Sequence, residues 1–184
     1  MIGAINAVIN SASSICEGPE YIYLLLDSYV KMSLKECERL RRGDEATRIA
    51  INDMSKDTPI PQQLNKFLAS DENKRNFQLL VRDIVGNDVC ANPMIACSVV
   101  SDNEALPATK FGNEVIPELF NWIEEADARE VAHVEWASHI KQCQRVVVMS
   151  NDTDSFTLLL DFTPYFQTLC MKEIWQQYGT GEKR

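Results

Sequence analysis

Histidine is scarce in this sequence, with two among 184 residues, and the six cysteines form no C-x-x-C pair. His133 and His139 are not spaced with any cysteine as a zinc site requires. They stand six apart on one helical stretch beside no nucleophile motif, which leaves no Ser-His-Asp or Cys-His machinery. No Gly-rich stretch offers a phosphate loop. No run nears the ~18 apolar residues of a membrane span, and Met1 to Ile15 lacks the positive leader of a secretory signal. The cysteines therefore read as reduced core residues, and the chain as intracellular, nuclear or cytoplasmic, with no membrane partner. Positive charge is in deficit as well: 18 Lys and Arg face 27 Asp and Glu, for a net charge of -9. That balance argues against a general nucleic-acid coat, which needs a positive surface. It does not exclude a nuclease, whose active site is itself dense in carboxylates. There is no internal repeat and no low-complexity segment.

What is present suits one globular domain: 45% of residues are hydrophobic and 24% charged, in a chain long enough to bury a core. Residues 1–20 mix Ser, Asn and Gly with short apolar pieces and form a poorly defined N-terminal segment ahead of a domain over 21–184. The closing Gly179-Thr-Gly-Glu-Lys-Arg184 reads as a cut through a longer protein as readily as a natural end. Buried strands are expected where apolar residues run together, at Tyr21 to Leu26, Met94 to Val100 and Arg145 to Met149. A last strand is expected within Met171 to Tyr178. Ser33 with Glu36 forms a capping box that opens a helix. Asp57-Thr-Pro-Ile-Pro61 is a loop, because a helix interior rejects its prolines. Gln62 to Ala69 and Asp71 to Val85 read as helices, the second with Phe77, Leu80, Val81 and Ile84 on one face. Ser101 to Asn113, with its Asp, Asn, Pro and Gly, reads as an exposed connection. A long helical pattern follows Glu124, and another follows Thr153. Strands separated by helices imply crossovers, hence an α/β chain with a mainly parallel central sheet between helical layers.

Carboxylates recur where such a sheet binds ligands, at strand C-termini and helix starts. They are Asp27 after the first strand, Glu125 and Asp127 at the start of the long helix, and Asp152 and Asp154 after Val146-Val-Val-Met149. Any one of them can be explained as a helix cap or as an answer to the helix dipole. Three such places on one sheet edge also make a hard-oxygen site for Mg²⁺ or Mn²⁺, since a cation neutralises the repulsion between them. Lys31, Lys35, Arg39, Arg41 and Arg42 form the densest positive stretch, read either as a solvated helix face or, for Lys31, Lys35, Arg39 and Arg42, as contacts to phosphate.

These boxes resemble a known family. Glu125-Ala-Asp-Ala128 is similar to the internal acidic box of the flap-endonuclease (XPG-type) nucleases, in which Glu-Ala-Glu-Ala opens a helix. Val147-Val-Met-Ser-Asn-Asp-Thr-Asp154 resembles the next box, a buried strand ending in Asp-x-Asp, and Leu25-Leu-Asp27 resembles the strand ending in Phe-Asp. From about Tyr21 onward the chain also resembles animal proteins often linked to mobile elements. The matching pieces are Ser33-Leu-Lys35, Arg41-Arg-Gly43, Asn73-Lys74, Glu124 to Arg129 and Asn151 to Asp154. The resemblance implies a PIN-like three-layer α/β/α sandwich that hydrolyses phosphodiesters in DNA or RNA. Asp27, Glu125, Asp127, Asp152 and Asp154 would be both metal ligands and catalytic residues for Mg²⁺ or Mn²⁺. Lys31, Lys35, Arg39 and Arg42 would meet the nucleic acid. Two departures stand out: residues 1–20 contain none of the family's additional Asp, and Asp127 replaces the second Glu. They make a catalytically degenerate PIN-like interaction module, derived from a mobile element, the alternative. A small-molecule phosphohydrolase on the same sheet is a third reading, weakened by the missing phosphate loop.

Overall fold

A computed structural model describes residues 2–15, 19–27, 37, 41, 54–55, 57–87, 94–100, 107–111, 114–119, 123 and 125–179. Lys31, Lys35, Arg39 and Arg42, with Ser33 and Glu36 of the capping box, lie outside the described residues. The described part is a mixed α/β structure whose elements follow in the order α1 (Ile2–Ile15), β1 (Tyr21–Leu25), α2 (Leu64–Leu68), α3 (Asp71–Asn87), β2 (Met94–Val100), β3 (Pro107–Phe111) and β4 (Glu114–Val115). A 3₁₀ turn (Pro117–Leu119), α4 (Ala126–His139), β5 (Arg145–Met149), α5 (Thr153–Thr168) and β6 (Glu173–Gln177) complete it.

The expected strands form, but not as one parallel-centred sheet. Among the described residues there are two sheets, one of order β1-β2-β3-β4 and one of β5-β6. β1 lies parallel to β2, with Tyr21 opposite Met94 and Leu25 opposite Ser98. β3 then returns antiparallel to β2 and β4 antiparallel to β3. The connection from β2 to β3 is too short for a parallel crossover, so the chain must fold straight back. Pro107 to Phe111, expected within an exposed connection, is therefore a strand. β5 and β6 are parallel, Val146 opposite Ile174 and Val148 opposite Gln176, because α5 supplies the long crossover that parallel pairing needs. No helix among the described residues is long and apolar enough to cross a membrane.

Three packed clusters hold these pieces. In the first, Ile5 and Ile9 of α1 meet Ile22 of β1 and Val81 and Ile84 of α3, with Phe77 and Leu80 half-buried beside them. The apolar face expected on α3 is the face that packs, and Ile2–Ile15 of the N-terminal segment form a helix belonging to this core. Ser70 starts α3, its hydroxyl accepting the Asn73 N–H at 3.4 Å. The buried Asn73 side chain in turn donates to the Phe67 carbonyl at 3.0 Å, tying α3 back to α2. In the second cluster Val134 of α4, Val148 of β5, Leu159 and Phe166 of α5 and Met171 pack together. α5 runs through Pro164. The proline forgoes a bond to the Leu160 carbonyl, on a residue exposed enough for water to serve instead. In the third, Trp136 of α4 packs with Ile116 and Leu119 and with Tyr23 of β1.

α4 thus joins the two sheets. Its Val134 faces β5, while His133 and Trp136 meet the Tyr23 ring edge-on at 5.7 and 6.0 Å. Lys141, just past the helix, lies 5.2 Å over the Trp136 ring and 5.5 Å over the Tyr21 ring, a cation–π contact on the same joint. That placement brings the first turn of α4 to the end of β1, and its middle to the start of α5.

Candidate functional site

Asp27 follows β1 and is fixed from two sides. Its backbone carbonyl accepts the Gln78 side-chain amide of α3 at 2.6 Å. Its carboxylate Oδ1 accepts the N–H of Ala126, the first residue of α4, at 3.0 Å across 99 residues of sequence. Helix starts present N–H groups without partners, and a carboxylate there answers both the hydrogen bond and the dipole. Glu125 is the N-cap residue of α4 by backbone, yet its own side chain makes no capping bond. Asp27 supplies that service from another element. Asp127, in the same first turn, turns its Oδ1 to the Ala128 N–H at 2.7 Å.

At the other strand end, Asp152 is the N-cap of α5, and its Oδ1 accepts the Asp154 N–H at 2.9 Å. The turn is braced: the Asp152 N–H donates to Ser150 Oγ at 3.1 Å. The Gln176 amide of β6 reaches the carbonyls of Ser150 and Asp152, each at 3.3 Å. The Gly179 N–H donates to the Asn151 side chain at 2.7 Å. Asp154 is exposed in the first turn of α5.

Glu130, half-buried on α4, is the residue that sequence reasoning missed. Its Oε2 accepts the Ser155 hydroxyl of α5 at 2.5 Å, and Ser155 itself is completely buried. Burial pushes the Glu130 carboxyl above the usual range; the Ser155 bond pulls it back, and the charges of Asp127 and Asp152 push it up further. Asp127 and Asp152 therefore both act on one carboxylate, although they come from different helices. Nothing local marks Glu130 in the sequence, where it is one charge among several on a polar helix.

Further along α4, His133 Nδ1 donates to the Arg129 carbonyl at 2.8 Å. Burial holds this imidazole neutral down to about 4, and Arg129 is fully buried beside it. His133 serves the joint between the sheets through its contact with the Tyr23 ring.

The structure thus brings Asp27 to the helix start that carries Glu125 and Asp127, and Glu130 to Ser155 of α5, where the charges of Asp127 and Asp152 both act on it. The donor set suits a hard divalent cation in kind, since every member is a carboxylate. It is not gathered to coordination distance: among the described residues no three His, Cys, Asp or Glu side chains form a group that could hold a metal ion. Set against known proteins, the chain matches no family model, no curated protein and no solved structure.

Proposed function

We propose that this acidic edge hydrolyses phosphodiester bonds in DNA or RNA with Mg²⁺ or Mn²⁺, in the manner of the flap-endonuclease branch of PIN-like nucleases. The observation that carries the reading is the bond from Asp27 to the Ala126 N–H. It seats the carboxylate at the end of β1 on the helix that opens with Glu125-Ala-Asp127, the pairing of boxes that the family resemblance calls for. When bound, the ion would lower the pKa of a bound water and neutralise charge on the phosphoryl oxygens. The chain's part is to hold Asp27, Glu125, Asp127, Asp152 and Asp154 on one rim, through the β1–α4 bond and the braced turn before α5. Lys31, Lys35, Arg39 and Arg42 would contact phosphate oxygens, and such an enzyme would work in the nucleus or cytoplasm. The three-layer PIN-like sandwich belongs to the same proposal.

A second reading, a degenerate PIN-like interaction module, has its own support. No group of three metal-binding side chains stands ready among the described residues, and Asp152 already serves as a helix cap. The test is incubation of the intact chain with single-stranded and flapped DNA and RNA, in Mn²⁺ and in EDTA. The nuclease reading expects cleavage that needs Mn²⁺ and falls at least a hundredfold in Asp152→Asn, as loss of a metal-site carboxylate implies. Cleavage that survives in EDTA, or none on any substrate, sets it aside.

A further inference from the structure

We propose that Glu130 is a positioning residue for this edge, its carboxylate anchored by Ser155 so that the Asp152 turn of α5 stays against the helix that carries Asp127. The inference rests on reading that edge as the site of reaction. Asp127 and Glu130 are three apart on α4 and so share a face. Ser155 lies in the first turn of α5, whose N-cap is Asp152, so a bond to Ser155 fixes that turn as a unit. Left alone, the like charges of Asp127, Glu130 and Asp152 would drive the two helix starts apart. The Ser155 hydroxyl, completely buried, donates to Glu130 and opposes that separation. Gln176 does the same from the other side, through the carbonyls of Ser150 and Asp152. The Asp152 turn is thus held between α4 and β6, and Glu130 is the only acidic member of that clamp among the described contacts.

A positioning role makes a pattern that neither a ligand nor a mere stabiliser makes. Glu130→Gln keeps an oxygen that can accept from Ser155, whereas Glu130→Ala and Ser155→Ala remove the bond. Cleavage in Mn²⁺ at 25 °C is expected to fall about tenfold in each Ala variant, the usual effect of a residue that orients others. The double variant should be no worse than the poorer single one, and Glu130→Gln should restore most of the loss. Equal losses in Glu130→Gln and Glu130→Ala would make Glu130 a direct participant; melting losses with unchanged cleavage would make it structural only. Either result overturns the inference. A second arm works without metal or substrate. In EDTA, Asp152→Asn keeps the cap but removes a negative charge that acts on Glu130, and should raise the melting temperature. The gain should shrink by at least half in Ser155→Ala, where Glu130 is released. The same gain in both backgrounds overturns the inference even when cleavage is robust. Absence of cleavage with the melting pattern intact overturns the nuclease reading and leaves the clamp standing.

Discussion

Asp27 and Asp152 occupy the same place in two parallel strand pairs, just past the C-terminal ends of β1 and β5, yet they use their carboxylates differently. Asp152 bonds two residues ahead, inside its own turn, while Asp27 bonds 99 residues ahead, on the first N–H of α4. The cap bond at the β5 end is local and forms whenever α5 forms, although the turn that carries it is placed by Glu130 and Gln176. The β1 end exists only once α4 has docked on both sheets. Each region should therefore fail in its own way: the first when the joint around α4 is disturbed, the second when the packing beneath α5 is lost.

The largest expected effect breaks the β5 region from below. Phe166 is fully buried among Val148, Leu159 and Met171, so Phe166→Ala should cost about 4 kcal/mol in urea unfolding. A cost under about 1 kcal/mol would mean that the cluster does not hold β5 and α5 together. Next comes acid, acting on the joint. The folded protein holds His133 down to about 4 against an ordinary 6.5, because burial disfavours the imidazolium. The unfolded chain therefore takes up the proton first. Stability is complete above about 6.5 and falls as the pH drops through that window, by up to about 3 kcal/mol near pH 4. Denaturation of wild type and His133→Asn at pH 7 and 4.5 checks it: the variant should lose less on acidification, and parallel losses would remove His133 from the joint.

Smaller effects compare the two caps directly. Asp27→Ala leaves a half-buried N–H without its acceptor and unties elements far apart in sequence, at an expected cost of about 2 kcal/mol. Asp27→Asn, which keeps an acceptor, should recover most of it. Asp152→Ala leaves the exposed Asp154 N–H to water instead, for about 1 kcal/mol or less, further offset by relief of repulsion with Glu130. Equal costs at the two positions, read from matched urea curves, would erase the distinction between a tertiary and a local cap.

What was legible in the sequence follows the same division. Runs of apolar residues locate β1, β2 and β5, an imperfect alternation at Met171, Ile174 and Trp175 locates β6, and the spacing of Phe77, Leu80, Val81 and Ile84 locates the buried face of α3. A local rule also foresaw that Asp152 could cap a helix, because cap and capped group are neighbours. No local rule predicts that Asp27 caps α4, that Gln78 holds the Asp27 carbonyl, or that Glu130 meets Ser155, since each partner lies on another element. Pro107 to Phe111 was hidden differently. Pro and Gly around it signal a turn, and only antiparallel pairing with β2 makes the stretch a strand. Crossovers imply parallel pairing, and β5 and β6 are parallel as expected, but among the described residues they pair apart from β1 and β2.

The most direct test of the acidic edge is a thermal melt of the intact chain in EDTA and in Mn²⁺, alongside Asp152→Asn. Ion binding to the folded state relieves carboxylate repulsion and adds stability by linkage, so Mn²⁺ should raise the wild-type melting temperature by several degrees. Most of that gain should vanish in Asp152→Asn, whose metal-free form should melt no lower than wild type. A wild-type melting temperature unmoved by Mn²⁺ would contradict a metal-binding edge and leave these carboxylates as caps and clamps alone.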